Sequence, residues 1–205
     1  MKAQAIYTDR LILKPANNDS DLTAYKRLLE PSEYYFQFGY EYDEHLLDDY
    51  DFTSLGVICY SAFLKNSGEY IGYVGIRPTD NKPEIGEIEY FISKPHRGKG
   101  FCHEAAAALI QAFKDGELTE IKGISVFAEI IRENTPSAHV LTRLGFDLEH
   151  TSLILYHIPD QNEEDGYKTE GKSVSTYTLD LCSWCPSSRE DGFRIPAQKQ
   201  LRACA

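Results

Sequence analysis

The sequence predicts a mixed α/β (α+β) domain, with about seven strands in one sheet and about four helices packed on it. Short segments of alternating or continuous apolar residues indicate strands, and longer segments with helical spacing indicate helices. They follow one another as strand, two helices, three strands, helix, strand, helix and two strands. The 205 residues, 42% of them apolar, fit one domain of ordinary size with its own core.

The first part of the chain is predicted to hold four strands and two helices. Leu11 and Leu13 recur at period two in the first strand, and Pro31 ends the helix that follows it. Turn residues at 66–68 separate the second and third strands. The predicted strands cover residues 6–14, 55–64, 70–77 and 85–92, and the predicted helices cover 21–30 and, less regularly, 43–50.

The second part is predicted to alternate helices and strands. An Ala-rich helix over 100–114 stops at Gly116, and a helix over 134–144 stops at Gly145. The predicted strands cover residues 121–130, 149–158 and 173–182, with a polar, flexible loop at 161–168. We expect one domain over residues 1–184 and a mobile tail over 185–205, where no periodicity is present.

Charge and composition exclude several classes of protein. The net charge of −11 argues against a nucleic-acid binder, which normally has a basic face, and suits either cationic partners such as amines or solubility alone. No apolar run approaches the ~20 residues that cross a membrane, so no membrane association is expected. The N-terminus lacks a signal-peptide core, and five cysteines without framework spacing fit reduced thiols, so we expect a cytoplasmic protein.

Cys182 and Cys185 form a C-x-x-C pair near the end of the predicted domain. A structural zinc site needs about four ligands, and no second pair lies beside this one, so no metal is expected. The pair is interpreted either as a coincidence at the end of a strand or as a reversible disulfide.

The segment that carries the chemistry is the turn Arg97-Gly98-Lys99-Gly100, between a predicted strand and a predicted helix. Two glycines let the backbone turn tightly, and the N–H groups at a helix start attract anions. Lys94, Arg97 and Lys99 also concentrate positive charge in an acidic chain. The spacing matches neither a dinucleotide fingerprint nor a P-loop. From the turn alone, a phosphate site and a solvated basic loop remain equally open.

Further segments complete a pattern. The loop reads R-G-K-G-F-C over residues 97–102, preceded by T-D-R-L-I-L over 8–13 and followed by H-E-A over 103–105. A later segment begins N-T-P-S at Asn134 and ends L-G-F at Phe146. In this order they resemble the GNAT N-acetyltransferases, in the branch that acetylates ribosomal-protein N-termini (RimJ/RimL-type). The resemblance covers roughly residues 6–182. Cys102 departs from it, because the family has Gly or Ala at that position.

The resemblance implies a GNAT fold with a mostly antiparallel central sheet, and it implies acetyl-coenzyme A as cofactor. The pantetheine arm would lie along the strand before the loop, and a backbone N–H near Phe91 or Ile92 would hold the oxyanion. Backbone N–H groups of the loop would hold the pyrophosphate. The residues implied to contact the cofactor are Tyr90, Phe91, Ile92, Ser93, Arg97, Gly98, Lys99, Gly100, Phe101, Cys102 and Asn134.

Three residues are candidates for proton transfer. Glu87 and Glu89 lie two apart on the strand that leads to the loop, so either could deprotonate an amine, with Glu89 nearer the reacting carbon. Exposed strand carboxylates without a catalytic role are the alternative. Many GNAT enzymes carry a Tyr where this chain has Leu141; Ser137 is a substitute acid or a helix first-turn residue.

The acceptor is expected at an aromatic and acidic segment over residues 33–53, where the family places its acceptor helices. Carboxylates would attract a cationic amine and rings could contact it; a solvated surface is the alternative. The candidate residues are Tyr34, Tyr35, Tyr40, Asp48 and Asp49. The acceptor is a peptide N-terminus or a small-molecule amine, and the protein a monomer or homodimer. The alternatives are a non-catalytic acyl-CoA-binding module and a phosphate-binding domain that shares only the turn.

Overall fold

A computed structural model describes residues 4–17, 19–30, 52, 56–159 and 167–186. The predicted helix at 43–50 lies outside the described residues, and so does the predicted tail beyond residue 186.

One sheet of eight strands forms the centre of the described structure. The strands are β1 (Ile6–Tyr7), β2 (Leu11–Pro15), β3 (Ile58–Leu64), β4 (Tyr70–Thr79), β5 (Lys82–Ile92), β6 (Ser125–Ile131), β7 (Asp147–Pro159) and β8 (Tyr167–Asp180). Their order is β1-β2-β3-β4-β5-β6-β8-β7. Every neighbouring pair is antiparallel except β5 and β6, which run parallel. The mixed, mostly antiparallel sheet is therefore confirmed.

Three α-helices accompany the sheet within the described residues: α1 (Ser20–Leu28), α2 (Phe101–Asp115) and α3 (Thr135–Leu144). A short 3-10 helix, Lys94–His96, lies between β5 and α2. Gly116 and Gly145 end α2 and α3 in the left-handed conformation that glycine adopts without strain. The predicted ends of these two helices are within one residue of the observed ones.

Two hydrophobic clusters cover opposite faces of the sheet. The larger joins α2 and α3 to the sheet and includes Ile88 and Ile92 of β5. The smaller is rich in aromatic rings and includes Tyr25 of α1 together with Phe91 of β5. Because successive side chains of a strand point to opposite faces, β5 contributes to both clusters. The strand that leads to the loop is thus packed on both sides.

Some predicted boundaries were wrong. The first predicted strand is a hairpin of two, β1 and β2, which explains the count of eight rather than seven. The strand predicted from residue 121 begins at Ser125, because the N–H groups of Gly123 and Ile124 bond to Phe113 and Glu84 instead. Residues 167–168, predicted as loop, belong to β8. None of the described helices is long and apolar enough to cross a bilayer.

Candidate active site

The two parallel strands β5 and β6 pair over a short stretch and then separate. Their register joins Ile85, Gly86 and Glu87 to Ser125, Val126 and Phe127. Beyond Glu87 the described strands show no further pairing between them, although β6 continues along β8 to Ile131. The segment of β5 from Ile88 to Ile92 therefore has an open edge in the middle of the sheet.

Strand register shows which backbone groups face this edge. The N–H of Ser93 donates to the carbonyl of Ile71 on the β4 side, at 2.9 Å. Since backbone direction alternates along an antiparallel ladder, the N–H groups of Phe91 and Glu89 also face β4, and those of Ile92 and Tyr90 face the open edge. Of the two N–H groups expected near the thioester, that of Ile92 is directed to the gap.

The loop after β5 exposes its backbone donors. Gly98 has φ 71° and Gly100 has φ 79°, a left-handed conformation that side chains disfavour. Helix α2 begins immediately afterwards, and its first internal bond runs from the N–H of Glu104 to Gly100. Within the described residues, no hydrogen bond uses the N–H groups from Gly98 to Cys102. These donors, at the positive end of α2, form a candidate anion site.

The basic side chains near the loop are less concentrated than the sequence indicates. Arg97 turns back, donates from Nε to the carbonyl of Ile92 at 2.6 Å and lies 5.5 Å from the Phe91 ring. Lys94 pairs with Glu30 of the segment after α1 at 2.8 Å. Lys99 is exposed in the loop. The anion site is therefore built mainly of backbone groups.

A contact that the sequence reasoning missed connects two of its motifs. Glu104, with 1% of its side chain exposed, accepts from Arg10 Nε at 2.6 Å and from the Thr8 hydroxyl at 2.5 Å. Arg10 also reaches the loop, where Nη1 donates to the carbonyl of Lys99 at 2.8 Å. Arg10 of the T-x-R segment and Glu104 of the E-A segment are 94 positions apart in the sequence. Only the similarity to a family pattern therefore indicated these two residues before the structure was known.

The start of α3 borders the open edge from the other side. Asn134 caps this helix, and its side-chain oxygen accepts from the N–H of Ser137 at 3.2 Å. The Tyr90 hydroxyl donates to the carbonyl of Ser137 at 3.3 Å and so links β5 to α3. Burial raises the pKa of Tyr90, which stays protonated at neutral pH. Leu141 is fully buried in the core.

Two carboxylates, those of Glu87 and Glu89, lie on the face of β5 opposite to Tyr90. Arg77 on β4 lies 3.2 Å from Glu87 and 3.6 Å from Glu89, measured between guanidinium nitrogens and carboxylate oxygens. Burial raises the pKa of Glu89, Arg77 offsets part of this effect, and the neighbouring Glu87 adds to it. Burial likewise raises the pKa of Glu87; Arg77 opposes this rise and Glu129 adds to it. Both groups are thereby shifted towards the range in which a general base works at neutral pH.

The face that carries these carboxylates also carries the aromatic cluster. Tyr25 of α1 lies with its ring centroid 5.0 Å from Phe91 and 5.7 Å from Phe52. Tyr25 and Phe52 come before and after most of the segment predicted to bind the acceptor. The residues predicted there, Tyr34, Tyr35, Tyr40, Asp48 and Asp49, lie outside the described residues.

The cysteines near the loop and core are poor nucleophiles. Burial raises the pKa of Cys102 to about 12, with Arg97 opposing the shift, and burial also raises the pKa of Cys59. Both stay as thiols at neutral pH, whereas the thiolate is the reactive form. Cys182 and Cys185 are exposed and free. No group of residues suited to hold a metal ion occurs in the described part of the chain.

Comparison with known proteins identifies this arrangement. Residues 10–147 match the acetyltransferase (GNAT) domain family. A relative named uncharacterized N-acetyltransferase p20, from Bacillus licheniformis, is 34% identical over 122 residues, which are 60% of this chain and 60% of that protein. The chain thus covers less than two thirds of that relative's length.

Solved structures share the fold. A ribosomal-protein-S5-alanine acetyltransferase from Vibrio fischeri has a TM-score of 0.61 and 17% identity, over 89% of this chain and 100% of its own. RimL, a ribosomal L7/L12 alpha-N-protein acetyltransferase in complex with coenzyme A, also has a TM-score of 0.61 and 17% identity, over 86% of this chain and 98% of its own. An acetyltransferase from Agrobacterium tumefaciens has a TM-score of 0.59 and 23% identity, over 87% and 95%.

Proposed function

This chain belongs to the acetyltransferase (GNAT) family, and we propose that it transfers an acetyl group from acetyl-CoA to a primary amine. The open edge of β5, which leads into a loop whose N–H groups donate to no other described residue, is the observation that carries the proposal. An extended amide-bearing arm can pair with a free strand edge, and a pyrophosphate suits backbone donors at a helix start. Acetyl-CoA has both parts in that order.

In this proposal the pyrophosphate lies on the N–H groups from Gly98 to Cys102. The pantetheine arm runs along the open edge past Ile92 and Tyr90. Asn134 faces the arm from α3, with its amide NH2 available because its oxygen caps the helix. The thioester carbonyl then meets the N–H of Ile92 or of Tyr90, which stabilises the oxyanion formed during attack.

The reaction proceeds by direct attack. Glu89, or Glu87 through a water, accepts a proton from the ammonium of the acceptor, and the neutral amine attacks the thioester carbonyl carbon. The nitrogen of the tetrahedral intermediate loses its second proton to the departing sulfur or to water, the C–S bond breaks, and the products are an amide and CoA as thiol or thiolate. The raised pKa values of Cys102 and Cys59 argue against an acyl-cysteine intermediate at these residues. A proton donor is optional, since a thiolate is a good leaving group; Ser137 is a candidate.

The acceptor is a peptide or protein N-terminus or a small-molecule amine. RimL and the Vibrio fischeri protein are named as ribosomal-protein acetyltransferases, which supports a protein N-terminus. The acidic face around Glu87 and Glu89 suits any cationic primary amine, which supports both classes. We propose no nucleic-acid or membrane partner.

The test is a screen of N-terminal peptides and small amines, with release of the CoA thiol as readout. Wild-type protein is expected to release thiol only when a suitable amine is present, and mass spectrometry should find the product heavier by one acetyl group. Binding of CoA without thiol release for any amine would instead support an acyl-CoA-binding module. Absence of CoA binding would reject the cofactor assignment altogether.

A further inference from the structure

The contacts of Arg10 fix the orientation of a peptide group in the cofactor loop. Arg10 Nη1 holds the carbonyl of Lys99 at 2.8 Å. In a trans peptide the carbonyl and the following N–H point in opposite directions. The N–H of Gly100 therefore points away from Arg10. Because Arg10 holds the carbonyl of Lys99 on its own side of the loop, the N–H of Gly100 is directed to the opposite side.

The arginine is itself held rigidly. Glu104 accepts from Arg10 Nε at 2.6 Å and from the backbone N–H of Arg10 at 2.8 Å. The Thr8 hydroxyl donates to the same carboxylate, and it accepts from the N–H of Leu11 at 2.9 Å. The guanidinium also lies 4.5 Å from the centroid of the Phe101 ring. A planar fork that spans a carboxylate and a carbonyl requires arginine, since a lysine presents only a point charge.

We propose that Thr8, Arg10 and Glu104 form a clamp that positions the loop from Gly98 to Cys102 for the pyrophosphate of CoA. The inference rests on the proposed cofactor, and it assigns a role to three residues that need not touch it. They are positioning residues. The clamp joins the β1–β2 hairpin to the first turn of α2, so the distant N-terminal segment governs cofactor affinity.

The experiment compares Arg10→Lys and Arg10→Met with Lys14→Met. Lys14 lies on β2, four residues after Arg10, and contacts Phe63, so its variant matches the loss of one positive charge away from the loop. Binding of CoA is measured by calorimetry. Binding of pantetheine, which lacks the phosphates, is measured by protein NMR titration, which detects weak ligands. Removing Arg10 leaves the buried Glu104 carboxylate without its charged partner, so Arg10→Met is expected to be less stable than wild type, and urea unfolding establishes that each variant is folded under the binding conditions.

Both Arg10 variants are expected to bind CoA about 10-fold or more weakly, the effect of losing a charge-assisted hydrogen bond. Pantetheine binding should be unchanged, and Lys14→Met should bind CoA as wild type does. Wild-type affinity in Arg10→Lys would overturn the clamp and leave charge alone as the role of Arg10. An equal loss for CoA and pantetheine would overturn it in favour of a general structural effect. A wild-type protein that binds no CoA would reject the proposed function instead.

Discussion

Glu89 is half-buried and lies beside a second carboxylate, Glu87, and both conditions make it a stronger base than a glutamate in water. Glu89 has 27% of its side chain exposed, and burial raises its pKa although Arg77 lies 3.6 Å away. Arg77 favours the ionised form of Glu89 and so opposes the rise in its pKa. The low-dielectric surroundings have the larger, opposite effect and make the carboxylate a stronger proton acceptor. Glu87 has the same partner, at 3.2 Å, so the two carboxylates share one compensating charge.

Replacing Glu89 by Gln should lower turnover roughly 10²–10⁴-fold, the usual contribution of a positioned base, and leave CoA affinity unchanged. Because the pKa of Glu89 is raised, wild-type activity should fall on acidification at a pH above the ordinary glutamate range, and the variant should lose this acidic limb. Steady-state rates across pH measure both. Glu84→Gln, at the start of β5, is the matched control. Loss of activity in Glu87→Gln with full activity in Glu89→Gln would exchange the two roles.

The same residue should reduce stability at neutral pH. A carboxyl group whose pKa is higher in the folded state than in the unfolded state binds more protons when folded, so the free energy of unfolding falls as pH rises. The fall begins near the ordinary glutamate pKa and is complete above the raised value. Glu89→Gln should therefore melt at a higher temperature than wild type at pH 8, with the difference disappearing at low pH. A variant that is less stable at pH 8 would contradict the direction of the shift.

At the scale of elements, the β5–loop–α2 unit depends on backbone conformation. Gly100 has φ 79° and ψ 1°, and a Cβ there would lie 3.3 Å from Arg10 Nη2. Gly100→Asp should abolish the thermal stabilisation by CoA, because the new carboxylate would compete with the Lys99 carbonyl for Arg10 and add a negative charge beside the phosphate site. In wild type, CoA at 100 times its Kd should add about 2.7 kcal/mol, or roughly 5–10 °C in Tm.

Gly68→Asp is the matched control for this substitution. Gly68 lies in the β3–β4 turn with φ 71°, and nothing would contact a Cβ there. Both substitutions introduce a left-handed aspartate and one negative charge, so both should lower Tm without ligand, Gly100→Asp more so because its side chain also contacts Arg10. Only Gly68→Asp should keep the CoA shift. Equal CoA shifts in wild type and Gly100→Asp would mean that the loop does not bind the pyrophosphate.

The sequence predicted these elements where the signal was local. The ends of α2 and α3 followed from Gly116 and Gly145, because a left-handed residue after a helix is encoded in a single amino acid. The turn inside the first predicted strand was missed, because Thr8 and Arg10 are held by Glu104, about a hundred positions later. The separation of β5 from β6 also leaves no mark in periodicity. The pattern of apolar residues predicts a strand, but it does not predict where the neighbouring strand stops pairing with it.

At the scale of the whole molecule, the chain has a net charge of −11, and the proposed function requires it to bind both an anion, acetyl-CoA, and a cation, the acceptor amine. Backbone donors of the loop solve the first problem locally, without a large basic patch. Acidic side chains serve the second, since opposite charge raises the encounter rate of a cationic amine. The kinetic constants for the acceptor should therefore depend on salt and on surface charge differently from those for acetyl-CoA.

Replacing Asp48, Asp49 and Asp51 by Asn should raise the KM for a cationic acceptor and leave the KM for acetyl-CoA unchanged. These residues lie outside the described structure, in the sequence between Tyr25 and Phe52, which both pack on the face that bears Glu89. In wild type, kcat/KM for the acceptor should fall with salt, because the screening length is ~10 Å at 0.1 M. The triple variant should show a flatter dependence, measured from initial rates at several ionic strengths.

The matched control neutralises Asp115, Glu117 and Glu120, which are exposed beyond the opposite end of α2 from the loop. Both triple variants change the net charge from −11 by three units, to −8. The three control residues lie at the end of α2, which packs on the face of the sheet opposite to the one that carries Glu87 and Glu89. The control should therefore keep the acceptor KM and the salt slope of wild type. If both variants behave alike, net charge alone sets the encounter rate; if neither differs from wild type, the acidic segment is a solvated surface without a role in acceptor binding.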